Sequence, residues 1–189
     1  MYENSESIIL GKNLKEEEEI YLHKKPLRVL RRLSGGGSVV HFYGNLNYSI
    51  IMSLEKFPQL FPIHPSYHFF LGIIQRALAN YVTLHLKGLS DLTIYNQGKY
   101  KKISGNSQAR KKNWILHHGT FIYNLEQASK IGYYLKMPPK QPDYRANRKH
   151  NEFMIPIIPK MNKWKIMANI QTELSKTLEM PLKRQWINL

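Results

Sequence analysis

Residues 31–49 read RRLSGGGSVVHFYGNLNYS and place three consecutive glycines between a pair of arginines and an apolar run. Glycine loses more backbone entropy on folding than any other residue, so three in a row require a structural reason. Apolar residues on both sides favour strands, and the glycine loop is expected to join two of them. Such a loop lets main-chain N–H groups converge on an anion, or lets a thin ligand lie against the backbone; an ordinary turn is the third interpretation. The stretch matches neither the P-loop nor the dinucleotide-binding glycine pattern.

The composition excludes several classes of protein. The chain has 189 residues, no cysteine and a formal net charge of +15. Without cysteine there are no disulfides, thiolate metal sites or thiol nucleophiles. No apolar run is long enough to cross a membrane and no signal peptide pattern begins the chain, so a cytoplasmic protein without a membrane partner is expected. The charge indicates an anionic partner, but no recognisable nucleic-acid-binding module accompanies it, so nucleic acid is the less favoured partner.

The pattern of apolar residues predicts one α/β (α+β) domain over residues 1–189, with a mixed, mainly antiparallel sheet flanked by helices. Strands are predicted at Ser7–Leu10, Leu27–Leu30, Ser38–His41, Asn47–Ser53, Leu92–Tyr95, Tyr100–Ser104 and Trp114–Tyr123. Helices are predicted from a capping box of Asn13 and Glu16 to the residues before Pro26, along an apolar stripe from Phe70 to Tyr81, at Glu126–Leu135, and over a final stretch that buries Trp164, Met167, Ile170, Leu174 and Leu178. Connections are predicted around Pro58, Pro62 and Pro65, as a basic loop at residues 105–113, and as an irregular surface segment at residues 137–153.

A lysine and a histidine pair are further candidates for chemistry. Lys102 lies in a predicted strand, just before the small-residue turn SGN. A lysine aimed into a half-buried site can hold a fixed positive charge against a phosphoryl or carboxylate oxygen; the alternative is one more exposed lysine. His117 and His118 could form an acid–base pair, but a satisfied structural histidine is the commoner outcome.

Two features are suggestive of metal sites and are better explained otherwise. The acidic run Glu16–Glu19 lies where a helix dipole favours anions, so a well-capped helix is preferred to a carboxylate site. His64 and His68 have the i, i+4 spacing of a helical metal pair, but Pro65 separates them and no third ligand is evident. No metal site is assigned to either feature.

Six ordered motifs together resemble the catalytic domain of lipoate-protein ligases, within the wider family of biotin and lipoate ligases and octanoyltransferases. They are GKN followed by a glutamate, RRLSGGGSVVH, GNLNYS, SDL, KKISGNSQ and HHGT, and they extend from about Gly11 to Asn124. Weaker similarity continues in NRKHNEFMIPII. The resemblance implies a biotin/lipoate-ligase-like fold and a two-step reaction. ATP would activate lipoate, or a similar medium-chain acid, as acyl-AMP, and a lysine of an acidic acceptor such as a lipoyl domain would then take the acyl group.

The resemblance also implies roles for individual residues. Lys102 would be the catalytic residue, because it would contact both the lipoyl carboxyl oxygen and the α-phosphate. The ATP-binding residues would be Arg32, Gly37, Ser38, Val39, Val40, Asp91 and Lys102, and the lipoate-binding residues would be Gly36, His41, Lys102 and His118. Asp91 would contact the nucleotide directly or through Mg²⁺. ATP and Mg²⁺ are therefore expected, and no tightly bound cofactor is predicted. Side chains at Gly36 or Gly37 would occupy ligand volume.

Residues that are absent or altered distinguish this chain from some members of the wider family. Octanoyltransferases and lipoyl amidotransferases pass the acyl group through a cysteine thioester, so a chain without cysteine favours adenylation. Biotin ligases are disfavoured because SGGG replaces their usual GRGR-type loop and no helix-turn-helix region precedes it. Phe42 stands where the family commonly has an aspartate, and Leu14 where a polar residue is usual.

The chain is expected to lack two parts that family members carry. The segment SIILGKN comes almost at once, whereas a further helix and strand normally precede it, and no C-terminal accessory domain follows Leu189. Adenylation by a catalytic domain that stands alone can require an accessory subunit, which is a candidate partner. Two alternatives stay open: a non-catalytic or transfer-only relative that binds lipoyl-AMP, and, less favoured, a basic nucleic-acid-binding protein.

Overall fold

The computed structural model describes residues 1–21, 27–43, 45–123, 125–157 and 162–182, with the backbone alone for residues 125–129. Its strands are β1 (Ser7–Leu10), β2 (Arg28–Arg31), β3 (Val39–His41), β4 (Leu46–Ser53), β5 (His85–Lys87), β6 (Asp91–Asn96), β7 (Lys99–Lys111) and β8 (Trp114–Phe121). Its helices are α1 (Glu16–Glu19), α2 (Ile63–Leu78), α3 (Leu125–Tyr134), α4 (His150–Phe153) and α5 (Lys163–Leu178). Within these described ranges, no helix combines the length and apolar character that crossing a membrane requires.

The larger sheet is antiparallel and has five strands in the order β4-β8-β7-β6-β5. Successive side chains of a strand point to opposite faces. On β4, Tyr48 and Met52 are buried in the core, and helices α2 and α5 contribute Phe70, Ile74 and Ile166 to the same core. Asn47, Ser49 and, on β8, His118 alternate with core residues, so a polar face lies opposite the helices.

The smaller sheet has three strands in the order β2-β1-β3, with β1 parallel to β2 and antiparallel to β3. A second core cluster joins this sheet to α3 through Ile8 of β1, Val40 of β3 and Ile131 of α3, with Phe42 and Leu135 just beyond the ends of β3 and α3. The predicted fold class is confirmed, but the strands belong to two sheets rather than one. The chain turns between the two sheets, where Asn45 donates its backbone N–H to the carbonyl of Phe42.

Most strand predictions are confirmed to within a few residues, and two details are wrong. The short strand β5 was not predicted, and β7 continues through residues assigned to an SGN turn and a basic loop. Polar residues there are buried and paired: Asn106 Nδ2 donates to the carbonyl of Ser90 at 2.7 Å, and Ser107 Oγ to that of Gly35 at 2.9 Å. Their polarity marks the lining of a cavity, and the backbone remains extended.

The predicted capping box is also wrong. Helix α1 has four residues, follows Lys15, and has no side-chain cap. Arg31 Nη1 donates to the carbonyls of Gly11, Lys12 and Leu14, which holds this segment in a turn and delays the helix. The predicted end of that helix, residues 22–26, lies outside the described residues.

Helix α2 begins earlier than predicted and ends earlier. Pro65 lies in its first turn, where a missing N–H breaks no helical hydrogen bond. Tyr81 lies beyond the end of α2 and is 41% exposed. On α5, Ile166 is buried, whereas Trp164 is 51% exposed. The prediction that Tyr81 and Trp164 are buried is therefore wrong. His64 and His68 are exposed on α2, and no cluster of three or more metal-ligating residues occurs in the described parts of the chain.

Candidate active site

Two cavities lie side by side where β3, β6 and β7 meet. The first has a volume of about 310 Å³ and the second of about 490 Å³. Residues lining both are Gly37, Ser38, Val39, Ser90, Asp91, Lys102, Gly105 and Thr120. The first cavity continues to apolar residues that include Phe42, Ile122 and Leu135, and the second to polar residues that include Arg32 and Ser34. A ligand that crosses the shared wall would occupy both cavities.

Lys102 lies on this shared wall. It pairs with Thr93 of β6 next to a β-bulge, and its Nζ lies 2.7 Å from Asp91 Oδ1. The two side chains are only 24% and 11% exposed. A Cβ on Gly105 would lie 3.0 Å from Cε and Nζ of Lys102, so glycine at that position leaves room for the lysine. The interpretation of Lys102 as one more exposed lysine is therefore wrong.

Asp91 joins Lys102 to a third side chain. The hydroxyl of Tyr144 donates to Asp91 Oδ2 at 2.7 Å, so both carboxylate oxygens are engaged. Burial, and then the negative charge of Asp91, raises the pKa of the Tyr144 phenol, so its hydroxyl keeps the proton that it donates. Tyr144, Asp91 and Lys102 thus form a continuous chain of polar contacts that ends at the shared wall.

Tyr144 belongs to residues 137–153, which were predicted as an irregular surface segment. This segment contains a 3-10 turn, Asp143–Arg145, and helix α4. It buries Arg145 and Phe153, which both line the first cavity. The surface assignment is therefore wrong: three prolines indicate irregular backbone, but they do not determine which side chains are buried.

The first cavity contains two carboxylates, Glu19 and Asp91, of the kind that Mg²⁺ takes as ligands. Both oxygens of Asp91 already accept hydrogen bonds, and Glu19 Oε2 accepts from Ser38 Oγ at 2.7 Å. Mg²⁺ usually keeps several waters and is held by one or two carboxylates together with substrate phosphates. Asp91 and Glu19 therefore do not form a preformed all-protein Mg²⁺ site, and Asp91 could supply one carboxylate ligand beside phosphates.

The glycine loop is shaped by close backbone contacts on one side and open space on the other. Gly36 has a φ of +85°, and a Cβ on Gly11 would lie 2.0 Å from the Gly36 carbonyl oxygen. By contrast, a Cβ on Gly35 or Gly37 would meet no atom within 4 Å among the described residues other than its two chain neighbours. Gly37 lines both cavities. The absence of a side chain at Gly37 therefore leaves free volume where the cavities meet.

Arg32 lies under the glycine loop. Its Nη2 donates to the carbonyls of Gly35 and Gly37, at 2.5 and 2.8 Å, and its Nε to Ser34 Oγ at 3.0 Å. Burial lowers its pKa. Arg32 lines the second cavity, whereas Val40, another predicted ATP-binding residue, lines the first. The residues predicted to bind ATP are thus divided between the two cavities.

The adjacent histidines have different surroundings. His117 is fully buried, stacks on Phe70 with ring centroids 4.5 Å apart, and contacts Gln108. His118 lines the second cavity, and its Nε2 lies 2.6 Å from Ser34 Oγ. Burial is the main cause that lowers the pKa of His117 to about 3 and that of His118 to about 4. The structural interpretation holds for His117, and the two imidazoles do not form an acid–base pair.

His41 completes the second cavity. Burial, assisted by the charge of Arg32, lowers its pKa to about 4, so the ring is neutral near pH 7. Its Nδ1 is buried without a hydrogen-bond partner among the described residues. Gly36, His41, Lys102 and His118, the residues predicted to bind lipoate, all line this one cavity.

The residues of the site that were not predicted from the sequence include Glu19, Tyr144 and Arg145. The arginine and histidine pattern in NRKHNEFMIPII, residues 147–158, begins just after Tyr144 and Arg145 and so pointed to their neighbourhood without including them. No comparable signal distinguished Glu19, because it is one of four consecutive glutamates.

A family model for the lipoyl protein ligase A/B catalytic domain matches residues 1–178. Lipoate-protein ligase LplJ of Bacillus subtilis (strain 168) is 37% identical over 126 residues, which are 65% of this chain and 36% of that protein. The chain spans little more than a third of the length of the curated relatives it matches.

Two solved structures share the fold. LipL1 of Plasmodium falciparum, in complex with lipoate, superposes with a TM-score of 0.71 and 26% identity over 94% of this chain and 48% of its own. A lipoate-protein ligase A bound with ATP gives a TM-score of 0.75 and 21% identity over 99% of this chain and 74% of its own. The chain therefore belongs to the lipoyl protein ligase A/B catalytic domain family.

Proposed function

We propose that this chain is an ATP-dependent ligase domain that activates lipoate, or a similar medium-chain acid, as acyl-AMP and transfers the acyl group to a lysine of an acceptor protein. One observation carries the proposal. The ammonium group of Lys102 lies on the wall shared by two cavities. It is paired with Asp91 and lies beside Gly105, where a side chain would crowd it. Family membership and the ATP-bound and lipoate-bound neighbours support the same reaction.

In the first step, a carboxylate oxygen of the acid would attack the α-phosphorus of ATP. An oxygen–phosphorus bond forms, the bond between the α-phosphorus and its bridging oxygen breaks, and pyrophosphate leaves. Negative charge grows on the transferring phosphoryl oxygens, and a fixed ammonium stabilises that charge more strongly in a buried site than in water. Lys102 can meet both reactants because it borders both cavities.

The acyl and nucleotide arms would lie in different cavities. Gly36, His41 and His118 line only the second cavity, so the acid would lie there with its carboxylate at Lys102. The unpaired Nδ1 of His41 offers a neutral polar contact to that arm. Val40 and Phe42 line only the first cavity, which would hold the nucleotide. Asp91 would hold the Mg²⁺ that accompanies the nucleotide, and the chemistry supplied by this ion would be partial neutralisation of the phosphate charge.

In the second step, an unprotonated lysine amine of the acceptor would attack the acyl carbonyl. An amide bond forms, AMP leaves, and the amine loses a proton. The net charge of +15 would attract acidic acceptors such as lipoyl domains and increase their rate of encounter. With no cysteine in these 189 residues, this chain supplies no thiol for a thioester intermediate.

The test incubates the chain with ATP, Mg²⁺, lipoate or octanoate, and an apo lipoyl domain, and follows the acceptor by mass spectrometry. The expected result is a mass gain of one acyl group, which Lys102→Met reduces at least 100-fold, a size reported for other electrostatic catalytic groups. A parallel reaction with pre-formed lipoyl-AMP isolates the second step. Binding of lipoyl-AMP without adenylation or transfer, even with an accessory subunit, would contradict the ligase and favour a non-catalytic relative.

A further inference from the structure

Arg145 is a buried cation of the first cavity, and no carboxylate among the described residues forms an ion pair with it. It is 5% exposed, and its Nε donates to the carbonyl of Arg148 at 3.0 Å while Nη2 lies 3.4 Å from Met137 Sδ. Its guanidinium carbon lies 4.7 Å from the centroid of the Phe153 ring. None of these partners is negatively charged, and no ion pair involves Arg145 within the described ranges. The carboxylate that acts on Arg145 is that of Asp91, and it is already paired with Lys102 and accepts from Tyr144. Because a buried charge that is incompletely compensated is unfavourable, a further anion is expected beside Arg145.

The surroundings of Arg145 have an excess of positive charge. Cationic residues lining the first cavity are Lys87, Lys102, Lys136, Lys140 and Arg145, and the carboxylates lining it are Glu19 and Asp91. Asp91 is already paired with Lys102, and Glu19 accepts from Ser38. The cavity therefore suits a ligand that carries several negative charges.

We propose that Arg145 binds the β- and γ-phosphates of the nucleotide and then the pyrophosphate that leaves. This inference rests on the proposed function. Tyr144, the residue before Arg145, contacts Asp91, and Asp91 pairs with Lys102. Arg145 is therefore next in sequence to the residue at the start of the polar chain that leads to Lys102. With the α-phosphate at Lys102, the rest of the triphosphate extends within the first cavity toward Arg145. A guanidinium suits this position because its planar fork donates two parallel hydrogen bonds to phosphate oxygens.

A carboxylate ligand is the competing source of negative charge. The carboxylate of the acid would lie at Lys102, and Arg145 does not line the second cavity, where the residues predicted to bind the acid are found. Its burial in the other cavity therefore favours a phosphate.

The test is titration calorimetry of inorganic pyrophosphate, and separately of octanoate, with the wild-type chain and single variants. Arg145→Met is expected to weaken pyrophosphate binding at least tenfold and to leave octanoate affinity within twofold. Arg76→Met is the control, because Arg76 is an arginine on α2 that is 53% exposed, pairs with Glu173 and lines neither cavity. It should change pyrophosphate affinity less than twofold. Circular dichroism checks that each variant is folded. Arg145→Lys is a second variant, used in case Arg145→Met does not fold. It keeps the positive charge and loses the planar guanidinium, and it should weaken pyrophosphate binding at least threefold.

Three results would overturn the inference: no pyrophosphate binding by the wild-type chain, equal affinity of the wild type and Arg145→Lys, or a loss confined to octanoate. Acyl-AMP formation is measured separately on the same preparations. Pyrophosphate binding that depends on Arg145, in a chain that makes no acyl-AMP, contradicts the proposed function but supports the phosphate site. Acyl-AMP formation together with pyrophosphate affinity that is independent of Arg145 overturns the phosphate site alone.

Discussion

At the residue scale, the site depends on a chain of three side chains. Tyr144 donates to one oxygen of Asp91, and Lys102 is paired with the other. A buried ammonium is tolerated when a carboxylate compensates it and further hydrogen bonds hold that carboxylate. The geometry makes Tyr144 a positioning residue that acts on Lys102 through Asp91.

Tyr144→Phe removes one hydrogen bond and keeps the ring. Hydrogen bonds to charged groups contribute roughly 1.5–3 kcal/mol, so acyl-AMP formation should slow about 10-fold to 100-fold. The loss should fall on kcat, with the KM for the acid nearly unchanged, because the second cavity is intact. Stopped-flow or radiolabel assays of acyl-AMP provide both constants.

Tyr95→Phe is the matched control, since Tyr95 lies on β6 and is 59% exposed. Its activity should equal that of the wild type. Equal kcat values for Tyr144→Phe and Tyr95→Phe would show that Tyr144 does not position Lys102.

At the element scale, the glycine loop is set by its contacts with the segment after β1. The Gly36 carbonyl approaches Gly11 so closely that no Cβ fits there, while Gly37 faces open space. Gly11, in the GKN motif, and Gly37, in the glycine loop, are therefore required for different reasons: Gly11 permits packing, and Gly37 leaves volume for a ligand.

Exchanging these glycines for alanine separates the two reasons. Gly11→Ala should lower the free energy of unfolding by about 1–3 kcal/mol, because its Cβ would overlap backbone that is not free to move. Gly37→Ala should change stability by less than about 0.5 kcal/mol and weaken the binding of lipoyl-AMP at least tenfold. Urea denaturation and calorimetry measure the two effects. Stability loss in Gly37→Ala equal to that in Gly11→Ala would contradict this distinction.

Strands with one apolar face could be predicted from the sequence, and strands with polar inward faces could not. β4 and β8 were recognised because apolar residues pack on α2 and α5. The second half of β7 was assigned to a loop, because Asn106, Ser107 and Gln108 look like loop residues although they are buried. Polar residues that line a cavity between two sheets form hydrogen bonds with residues that are distant in sequence. A local sequence pattern does not show these partners. Lys102 was identified through the resemblance, whereas its partner Tyr144 required the folded chain.

At the scale of the whole molecule, two sheets enclose a site whose buried histidines are neutral. Burial lowers the pKa of His41, His118 and His150 from 6.5 to about 4, and that of His117 to about 3. In the unfolded chain these groups take up protons near pH 6.5, whereas in the folded chain they stay neutral until about pH 4. The unfolded state therefore binds more protons in this window, and stability must fall as the pH falls through it.

Urea denaturation at pH 7, 6 and 5 should show this loss. His117 alone should contribute about 1.4 kcal/mol for each pH unit well below its unfolded-state pKa. His117→Gln should reduce the slope of stability against pH. Stability that is constant or rises from pH 6 to pH 5 would contradict the neutral state of these histidines.

The most direct test of the site is a crystal structure with a non-hydrolysable acyl-sulfamoyl adenosine, in which a sulfamate replaces the phosphate. The expected result places the sulfamate about 3 Å from Lys102 Nζ, the acyl chain in the second cavity beside His41, and the adenosine in the first. A compound bound elsewhere, or both arms of the compound in one cavity with Lys102 turned away, would contradict the assignment of Lys102 to the junction of acid and nucleotide.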